Sequence, residues 1–251
     1  MTAFLDAVVS LPGTWQFWPA VVATAVAGLM RGYAGFGTAI LLSPVFSTLW
    51  GPLAAVPVML LMELLVSVQL LPKAMGHADR RTILPLGLAA VIATPFGAWV
   101  LLSADGEVLR RSIGFLVLVF GFLLMSGWRY HGTRPTGLNV AVGATAGLMK
   151  GATGMSGPPV ILYLLAGAEE ARQHRASLIL FFAMISVVSV VIPIWAGLVG
   201  ALVLAKLLLL LPIMLICVPI GARLFHVVPV VWYRRFALVF LTVAGSFALF
   251  F

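Results

Sequence analysis

Three charged residues lie deep inside long apolar runs of this sequence. Arg31 and Lys150 each follow the same tetrapeptide, Ala-Gly-Leu-Met, and Glu63 lies halfway along the apolar run 53–72. A basic side chain within a bilayer is costly and usually faces a partner or a cavity. Two such cations brought together would bind an anion. Alternatively, each cation caps the carbonyl end of its helix or forms a structural ion pair.

Glu63 is the one carboxylate deep within an apolar run. A buried carboxyl group takes up a proton more readily than an exposed one, so Glu63 is a candidate carrier of a coupling proton. The same carboxylate is also a candidate counter-ion for Arg31 or Lys150. Both interpretations require Glu63 to meet a second element in the folded chain.

The composition shows what kind of elements must position these charges. Of 251 residues, 63% are hydrophobic and 9% are charged, whereas soluble domains average roughly 45–50% apolar and about 25% charged residues. A soluble fold is therefore excluded. The net charge of +8 arises from basic clusters between apolar runs, which indicates membrane orientation rather than nucleic-acid binding. The N-terminus has no basic segment typical of a cleaved signal peptide.

The apolar runs predict six full spans and two broken segments. The predicted spans are 53–72, 82–103, 112–127, 174–197, 202–225 and 235–251. The runs 15–50 and 137–167 are too long for one simple helix, and both contain a glycine-rich stretch, Arg31–Gly37 and Lys150–Pro159. Because glycine favours non-helical backbone and proline removes amide donors, each run should form two short helices that meet at a break.

Each broken segment either crosses the bilayer or turns back as a re-entrant hairpin. The predicted arms of the second segment, 137–149 and 158–167, reach only ~20 and ~15 Å of a core about 30 Å thick. If both segments turn back, one side collects ten basic residues and the other keeps Arg110, Arg111 and Lys206. The ten are Lys73, Arg80, Arg81, Arg129, Arg134, Arg172, Arg175, Arg223, Arg234 and Arg235. Since cytoplasmic loops are enriched in basic residues, we predict hairpins, with both termini outside the cytoplasm.

The two halves of the chain repeat. The matched segments are Ala27–Gly35 with Ala146–Gly154, Pro72 with Pro193, Pro95–Ala98 with Pro219–Ala222, and Arg110-Arg111 with Arg234-Arg235. Three spans after each hairpin invert the second unit, an arrangement that recurs in secondary transporters. We predict an all-α polytopic membrane protein of two inverted repeats, 1–134 and 135–251. Met184 is the counterpart of Glu63, which breaks the symmetry.

The breaks supply the candidate binding residues. A half-helix N-terminus offers unpaired amides and the positive end of a dipole, which favour an anion. We expect the second arms to begin near Gly37-Thr38 and after Ser156 or Gly157. The predicted substrate-binding residues are Arg31, Tyr33, Gly35, Gly37, Thr38, Lys150, Thr153, Gly154, Ser156 and Gly157. Tyr33 is alternatively an aromatic filler, and helix packing is the favoured role of Gly28, Gly143 and Gly147.

No catalytic, metal or cofactor site is predicted. The histidines fall in polar connections without carboxylates at metal-ligand spacing: His77, His131, His174 and His226. Cys217 is the single cysteine, which excludes an internal disulfide or a cysteine-based metal site. A membrane enzyme acting on lipid-linked phosphate would need more carboxylates or histidines at depth than Glu63 alone.

The two breaks resemble the duplicated signatures of the TauE/SafE sulfite exporter family, also called the four-toluene sulfonate uptake permease family. The segments are Arg31-Gly-Tyr-Ala-Gly-Phe-Gly-x-Ala-x-Leu-x-x-Pro44 and Gly151-Ala-Thr-Gly-Met-Ser-Gly-Pro-Pro-Val-Ile-Leu-Tyr163, and the resemblance covers essentially the whole chain. Many members carry more glycines where this chain has Gly37-Thr38-Ala39 and Ser156-Gly157-Pro158. The resemblance implies transport of sulfite or an organosulfonate across the bacterial inner membrane, driven by protons.

We therefore expect a secondary transporter that binds a small inorganic or organic anion between the breaks and works by alternating access. The alternatives are a passive anion channel and, less favoured, the membrane enzyme. The expected partners are the anion, protons and the lipid bilayer, and no nucleic acid. The oligomeric state is left open by the sequence.

Overall fold

All regular structure in the described part of the chain is helical, as predicted. The computed structural model describes residues 2–126, 130, 132–164, 171–225, 227, 239, 246 and 249. The helices are α1 (Thr2–Ser10), α2 (Phe17–Ala34), α3 (Thr38–Trp50), α4 (Pro52–Ala74), α5 (Arg80–Ser103), α6 (Gly106–Met125), α7 (Thr136–Thr153), α8 (Gly157–Leu164), α9 (Ala171–Trp195) and α10 (Ala201–Leu224). A short 3₁₀ turn, Leu11–Gly13, joins α1 to the rest.

Four of these helices are long and apolar enough to cross a membrane. They are Pro52–Pro72, Arg80–Ser103, Arg172–Trp195 and Ala201–Leu224, and they coincide with four of the six predicted spans. The chain is therefore a multi-pass membrane protein. Helix α6 covers most of the predicted span 112–127 but begins at Gly106, because the Asp105 carboxylate caps the amides of Glu107 and Val108. Apart from three single positions, the predicted span 235–251 lies outside the described residues.

Both predicted breaks are present, and each is three residues long. Helix α2 ends before Gly35–Gly37 and α7 ends before Gly154–Ser156. The predicted arm 137–149 is wrong, because α7 continues to Thr153 and reaches ~27 Å at about 1.5 Å per residue. The glycine at 151 does not interrupt the helix. The chain turns at Gly35 and Gly154, whose φ values of 79° and 75° lie in the left-handed region that glycine tolerates best.

Matched positions of the two halves make matched contacts. Helix α2 packs against α10, and α7 packs against α5. A Cβ atom built on either of two corresponding glycines would overlap the backbone of the facing helix: Gly32 faces Val218 and Ala222, and Gly151 faces Thr94 and Ala98. Likewise Gly221 faces Leu29, and Gly97 faces Leu148. Such small residues allow membrane helices to approach closely, as predicted for Gly28, Gly143 and Gly147.

The contacts also define helix directions. Helices α2 and α10 run parallel, since Gly28 lies against Met214 and Gly32 lies against Ala222. Helices α5 and α7 also run parallel, since Gly143 lies against Leu86 while Gly151 lies against Ala98. The end of α10 meets the end of α4 and the start of α9 at one cavity, so α9 runs opposite to both.

Helices α5 and α9 run parallel, because Asp79 at the start of α5 donates its amide to Ser177 Oγ and Gly87, further along α5, packs against Met184. Helix α5 is therefore antiparallel to α10. It follows that α7, the partner of α5, is antiparallel to α2, the partner of α10.

Two hydrogen bonds join the start of α7 to the end of α8. Tyr163 Oη donates to Asn139 Oδ1 over 2.6 Å, and Arg134 Nη2 donates to the Leu164 carbonyl over 2.8 Å. The two helices on either side of the second break therefore lie antiparallel.

The glycine contact between α5 and α7 yields a stability prediction. Gly147 faces the Ala90 backbone without room for a Cβ atom, so Gly147→Ala should force the helices apart and lower the free energy of unfolding by about 1–3 kcal/mol. Gly137→Ala on the same helix is the control, because its Cβ atom would meet nothing within 4 Å. Thermal melting of the purified protein measures both. Equal melting temperatures for the two variants would contradict the close contact.

Candidate functional site

Glu63 is the counter-ion of Lys150. Lys150 lies in the last turn of α7, Glu63 lies in the middle of α4, and Lys150 Nζ donates to Glu63 Oε2. The two side chains are 0% and 1% exposed. Removing one partner of such a buried pair leaves an uncompensated charge, at a cost of about 3–5 kcal/mol. The pair therefore joins the two halves of the chain, and neither charge can be removed alone without a cost in stability.

Arg31 is equally buried, but its hydrogen bonds go to neutral oxygens. Its Nη1 donates to the Gly35 carbonyl over 2.7 Å, and its Nη2 donates to Ser67 Oγ over 3.1 Å. The guanidinium also lies 4.6 Å from the centre of the Phe182 ring, a favourable cation–π distance. The bond to Gly35 caps the carbonyl end of α2, which is one of the two roles predicted for this residue.

We define the buried charge cluster as Arg31, Glu63 and Lys150. Within the described residues, no carboxylate lies in ion-pair contact with Arg31. The cluster thus contains two cations and one anion. Because a buried charge is costly unless it is compensated, the extra positive charge favours an anionic ligand.

Thr38 and Ser156 place two buried hydroxyl groups at the breaks. Thr38, the first residue of α3, is 1% exposed, and Ser156, just before α8, is 0% exposed. Neither Thr38 Oγ1 nor Ser156 Oγ has a hydrogen-bond partner among the described residues. A buried unpaired polar group costs about 1–3 kcal/mol. Both hydroxyls are therefore available to donate to a ligand.

Helix α3 connects the two breaks. Ser43 Oγ donates to the Thr153 carbonyl over 2.7 Å. Gly157, at the start of α8, lies against Ile40 and against Phe182, the ring that also covers Arg31. The structure therefore brings the first-break cation and the start of α8 into contact with the same aromatic ring.

The remaining predicted site residues shape the breaks. Gly35 and Gly154 make the left-handed turns, and Gly37, with a φ of 113°, precedes α3. The Thr153 hydroxyl donates to the Met149 carbonyl within its own helix. Tyr33 packs edge-on against Phe225, with ring centres 5.4 Å apart.

Sequence reasoning missed three residues that contact the site. Ser67 follows Glu63 by four residues, so helical spacing alone placed it on the same face of α4. Ser43 and Phe182 had no such signal. Their roles depend on α3 and α9 being neighbours of the breaks, which the order of residues does not reveal.

A cavity of about 620 Å³ opens beside the first break. Its basic lining residues are Arg172, Arg175, Arg223 and His77, and none of the described residues that line it is acidic. Arg175 also borders the break, because its Nη2 donates to the Gly32 carbonyl over 2.6 Å. We call this space the open cavity.

A second, much smaller space lies at positions related by the repeat. Its volume is about 10 Å³, and its lining includes Thr94, Ala98 and Leu101. These residues correspond to Val218, Ala222 and Phe225 of the open cavity at the offset of 124 residues that the sequence repeat shows. We call it the closed cavity. Corresponding positions of the two halves thus line spaces of very different volume.

The described part of the chain contains no group of three His, Cys, Asp or Glu residues close enough together to bind one metal ion. His77 lines the open cavity. His174 is buried within α9 and not in a polar connection, because α9 begins at Ala171. His131 and His226 lie outside the described residues.

Comparison with known proteins agrees with the resemblance of the two breaks. The profile of the family described as "Sulfite exporter TauE/SafE" matches residues 20–248. The "Probable sulfite/organosulfonate exporter TauE" of Cupriavidus necator is 28% identical over 200 residues, which cover 75% of this chain and 76% of that protein. No solved structure gives a significant match. With the family profile spanning both breaks and the four membrane helices, this chain belongs to the TauE/SafE sulfite exporter family of membrane transporters.

Proposed function

We propose that this protein is a secondary transporter that moves sulfite or a small organosulfonate across the bacterial inner membrane. The observation that carries the proposal is the excess positive charge of the buried charge cluster. The cluster lies next to two breaks whose hydroxyls have no hydrogen-bond partner among the residues that the structure describes. Sulfite and sulfonate oxygens accept hydrogen bonds from ammonium, guanidinium and hydroxyl groups alike. The name of the Cupriavidus necator relative supports this class of substrate.

The two breaks contribute different donors to the anion. In the first, the amides at the start of α3 and the Thr38 hydroxyl favour negative charge. In the second, Pro158 and Pro159 lack amide hydrogens, so Ser156 supplies a donor at the start of α8. Lys150 and Arg31 supply the charge. Tyr33 and Thr153 shape the walls of the breaks.

Glu63 couples proton binding to anion binding in this proposal. Ionised Glu63 holds the Lys150 ammonium and competes with the substrate for it. Protonation of Glu63 removes the competing charge, so Lys150 is released to the anion. Proton and anion then bind together and cross together.

Alternating access follows from two inverted repeats, 1–134 and 135–251, each with a re-entrant hairpin. The matched pairings of α2 with α10 and of α7 with α5, in opposite directions, support this architecture. The open and closed cavities support a change of access in which the two repeats exchange conformations. A passive channel would instead need both cavities open at once.

The open cavity faces the cytoplasm in this proposal. It lies at the end of the bundle that carries Arg80, Arg81 and Arg172, and cytoplasmic ends of membrane helices are enriched in basic residues. Placement of both termini outside the cytoplasm remains a prediction from the same rule.

Transport by purified protein in proteoliposomes tests the proposal. The test anions are sulfite, thiosulfate, methanesulfonate and acetate. We expect saturable uptake of one or more of the sulfur oxyanions, with sulfite or the sulfonate preferred over acetate. Thr38→Val and Ser156→Ala should each weaken binding of the preferred anion about tenfold, because each variant loses one hydrogen bond to a charged group.

Those two variants also separate binding from folding. Each removes an unpaired buried hydroxyl, so thermal stability should stay the same or rise. Thr24→Val is the control, because the Thr24 hydroxyl already donates to the Ala20 carbonyl in its own helix; it should leave transport unchanged. Wild-type protein that moves none of the sulfur oxyanions would overturn the proposal.

A further inference from the structure

We propose that the open cavity is a second anion site, a vestibule from which Arg175 passes the anion to Arg31. This inference rests on the proposed function and extends it from the breaks to the path that leads to them. The ligand is the same class, a sulfite or sulfonate headgroup. The vestibule is defined by Arg172, Arg175, Arg223 and His77.

The described lining of the open cavity is positively charged. Three arginines line this cavity, and within the part of the chain that the structure describes no acidic residue lines it. A cleft with one sign of charge and low-dielectric walls raises the local concentration of oppositely charged ligands, and it raises association rates about 10- to 1,000-fold. The vestibule therefore concentrates anions at the mouth of the first break.

The open cavity is large enough for an organic anion. A cavity of about 620 Å³ is far larger than a sulfite ion and lies within the usual range of organic-ligand pockets, about 300–1,000 Å³. Apolar residues such as Leu70, Ile179 and Val218 complete the lining. The cavity thus holds an anionic headgroup at the arginines together with a short carbon chain.

Arg175 lies where the open cavity meets the first break. Arg175 lines the cavity, donates to the Gly32 carbonyl, and has its side chain against Gly35, the residue whose carbonyl accepts from Arg31. Its guanidinium faces the Phe225 ring at 5.6 Å. Its Nε has no partner among the described residues. Arg175 is therefore placed between the vestibule and Arg31, with a donor left for an anion.

An anion at Arg175 competes with the Gly32 carbonyl for the guanidinium. The charged ligand forms the stronger bond, so Arg175 swings away from Gly32 and opens the way toward Arg31. Arg175 thus binds the anion and passes it to Arg31, whereas Arg172 and Arg223 collect anions nearer the mouth.

Sulfite transport at low and high ionic strength tests the vestibule. For the double variant Arg172→Gln/Arg223→Gln we expect a KM about tenfold above that of the wild type at low salt, with kcat retained. The difference should shrink at high salt, because salt screens exposed charges. Arg175→Gln should raise KM and lower kcat, and Arg175→Lys should recover part of both. Arg81→Gln, an exposed arginine at the same end of the bundle, is the charge-matched control and should behave as wild type.

The outcomes separate the two proposals. Wild-type kinetics and salt dependence in the vestibule variants, with transport still impaired by Thr38→Val, overturn the vestibule alone. Wild-type protein that transports no test anion overturns the proposed function and the vestibule with it. A thermal melting temperature no lower than that of the wild type is required of every variant that is scored, and Arg175→Lys provides the comparison if Arg175→Gln fails to fold.

Discussion

Lys150→Met is expected to reduce sulfite transport about 100-fold or more. Lys150 supplies one of the two cations of the buried charge cluster, and a hydrogen bond to a charged group is worth about 1.5–3 kcal/mol, or roughly 10- to 150-fold. The effect is at the upper end, because the substitution also leaves Glu63 to repel the anion. The measurement is sulfite uptake into proteoliposomes, normalised to the amount of reconstituted protein.

A double variant distinguishes this loss from misfolding. Lys150→Met alone leaves a buried carboxylate without its partner, which destabilises a fold by about 3–5 kcal/mol. Glu63→Gln/Lys150→Met removes both charges, and replacing a buried ion pair by neutral groups is often harmless to stability. We expect the double variant to melt near the wild-type temperature and still to transport sulfite at least tenfold more slowly than the wild type. Normal transport by this variant would show that the cluster is structural.

Glu63→Gln is expected to abolish accumulation driven by a proton gradient while anion exchange continues. With one proton per anion, a gradient of one pH unit drives about tenfold accumulation, since a factor of ten corresponds to about 1.4 kcal/mol. Glutamine keeps the shape of the side chain but cannot carry a proton. The internal and external concentrations of labelled sulfite should therefore become equal in the variant.

The matched control is Glu107→Gln. Glu107 is an exposed carboxylate that pairs with Arg111 at 2.6 Å, outside the buried charge cluster. The Glu107→Gln variant should accumulate sulfite as the wild type does. Accumulation by Glu63→Gln at the wild-type level would mean that Glu63 serves as counter-ion only. A wild-type protein that equilibrates sulfite without responding to the pH gradient would instead favour the passive channel.

The membrane helices were predictable because the bilayer imposes a simple rule on composition and length. Runs such as 82–103 and 202–225 are apolar for about the thickness of the hydrocarbon core, and the structure has helices there. Both breaks were also predictable, since few residues other than glycine tolerate the left-handed turns at Gly35 and Gly154. The boundary of α7 was not, because Gly151 is compatible with a helix when its missing Cβ atom allows α5 to approach.

Residue type alone identified Arg31, Lys150 and Glu63 as the charges that an apolar environment must accommodate. The tertiary structure decided how they are paired. Lys150 receives the carboxylate, whereas Arg31 receives Ser67, Gly35 and the face of Phe182. The sequence treats the two cations as equivalent members of a repeat. Their surroundings differ because α4 carries Glu63, whereas its counterpart α9 has no carboxylate at the matching position. One carboxylate therefore serves two cations, and the packing of the helices determines which of them it contacts.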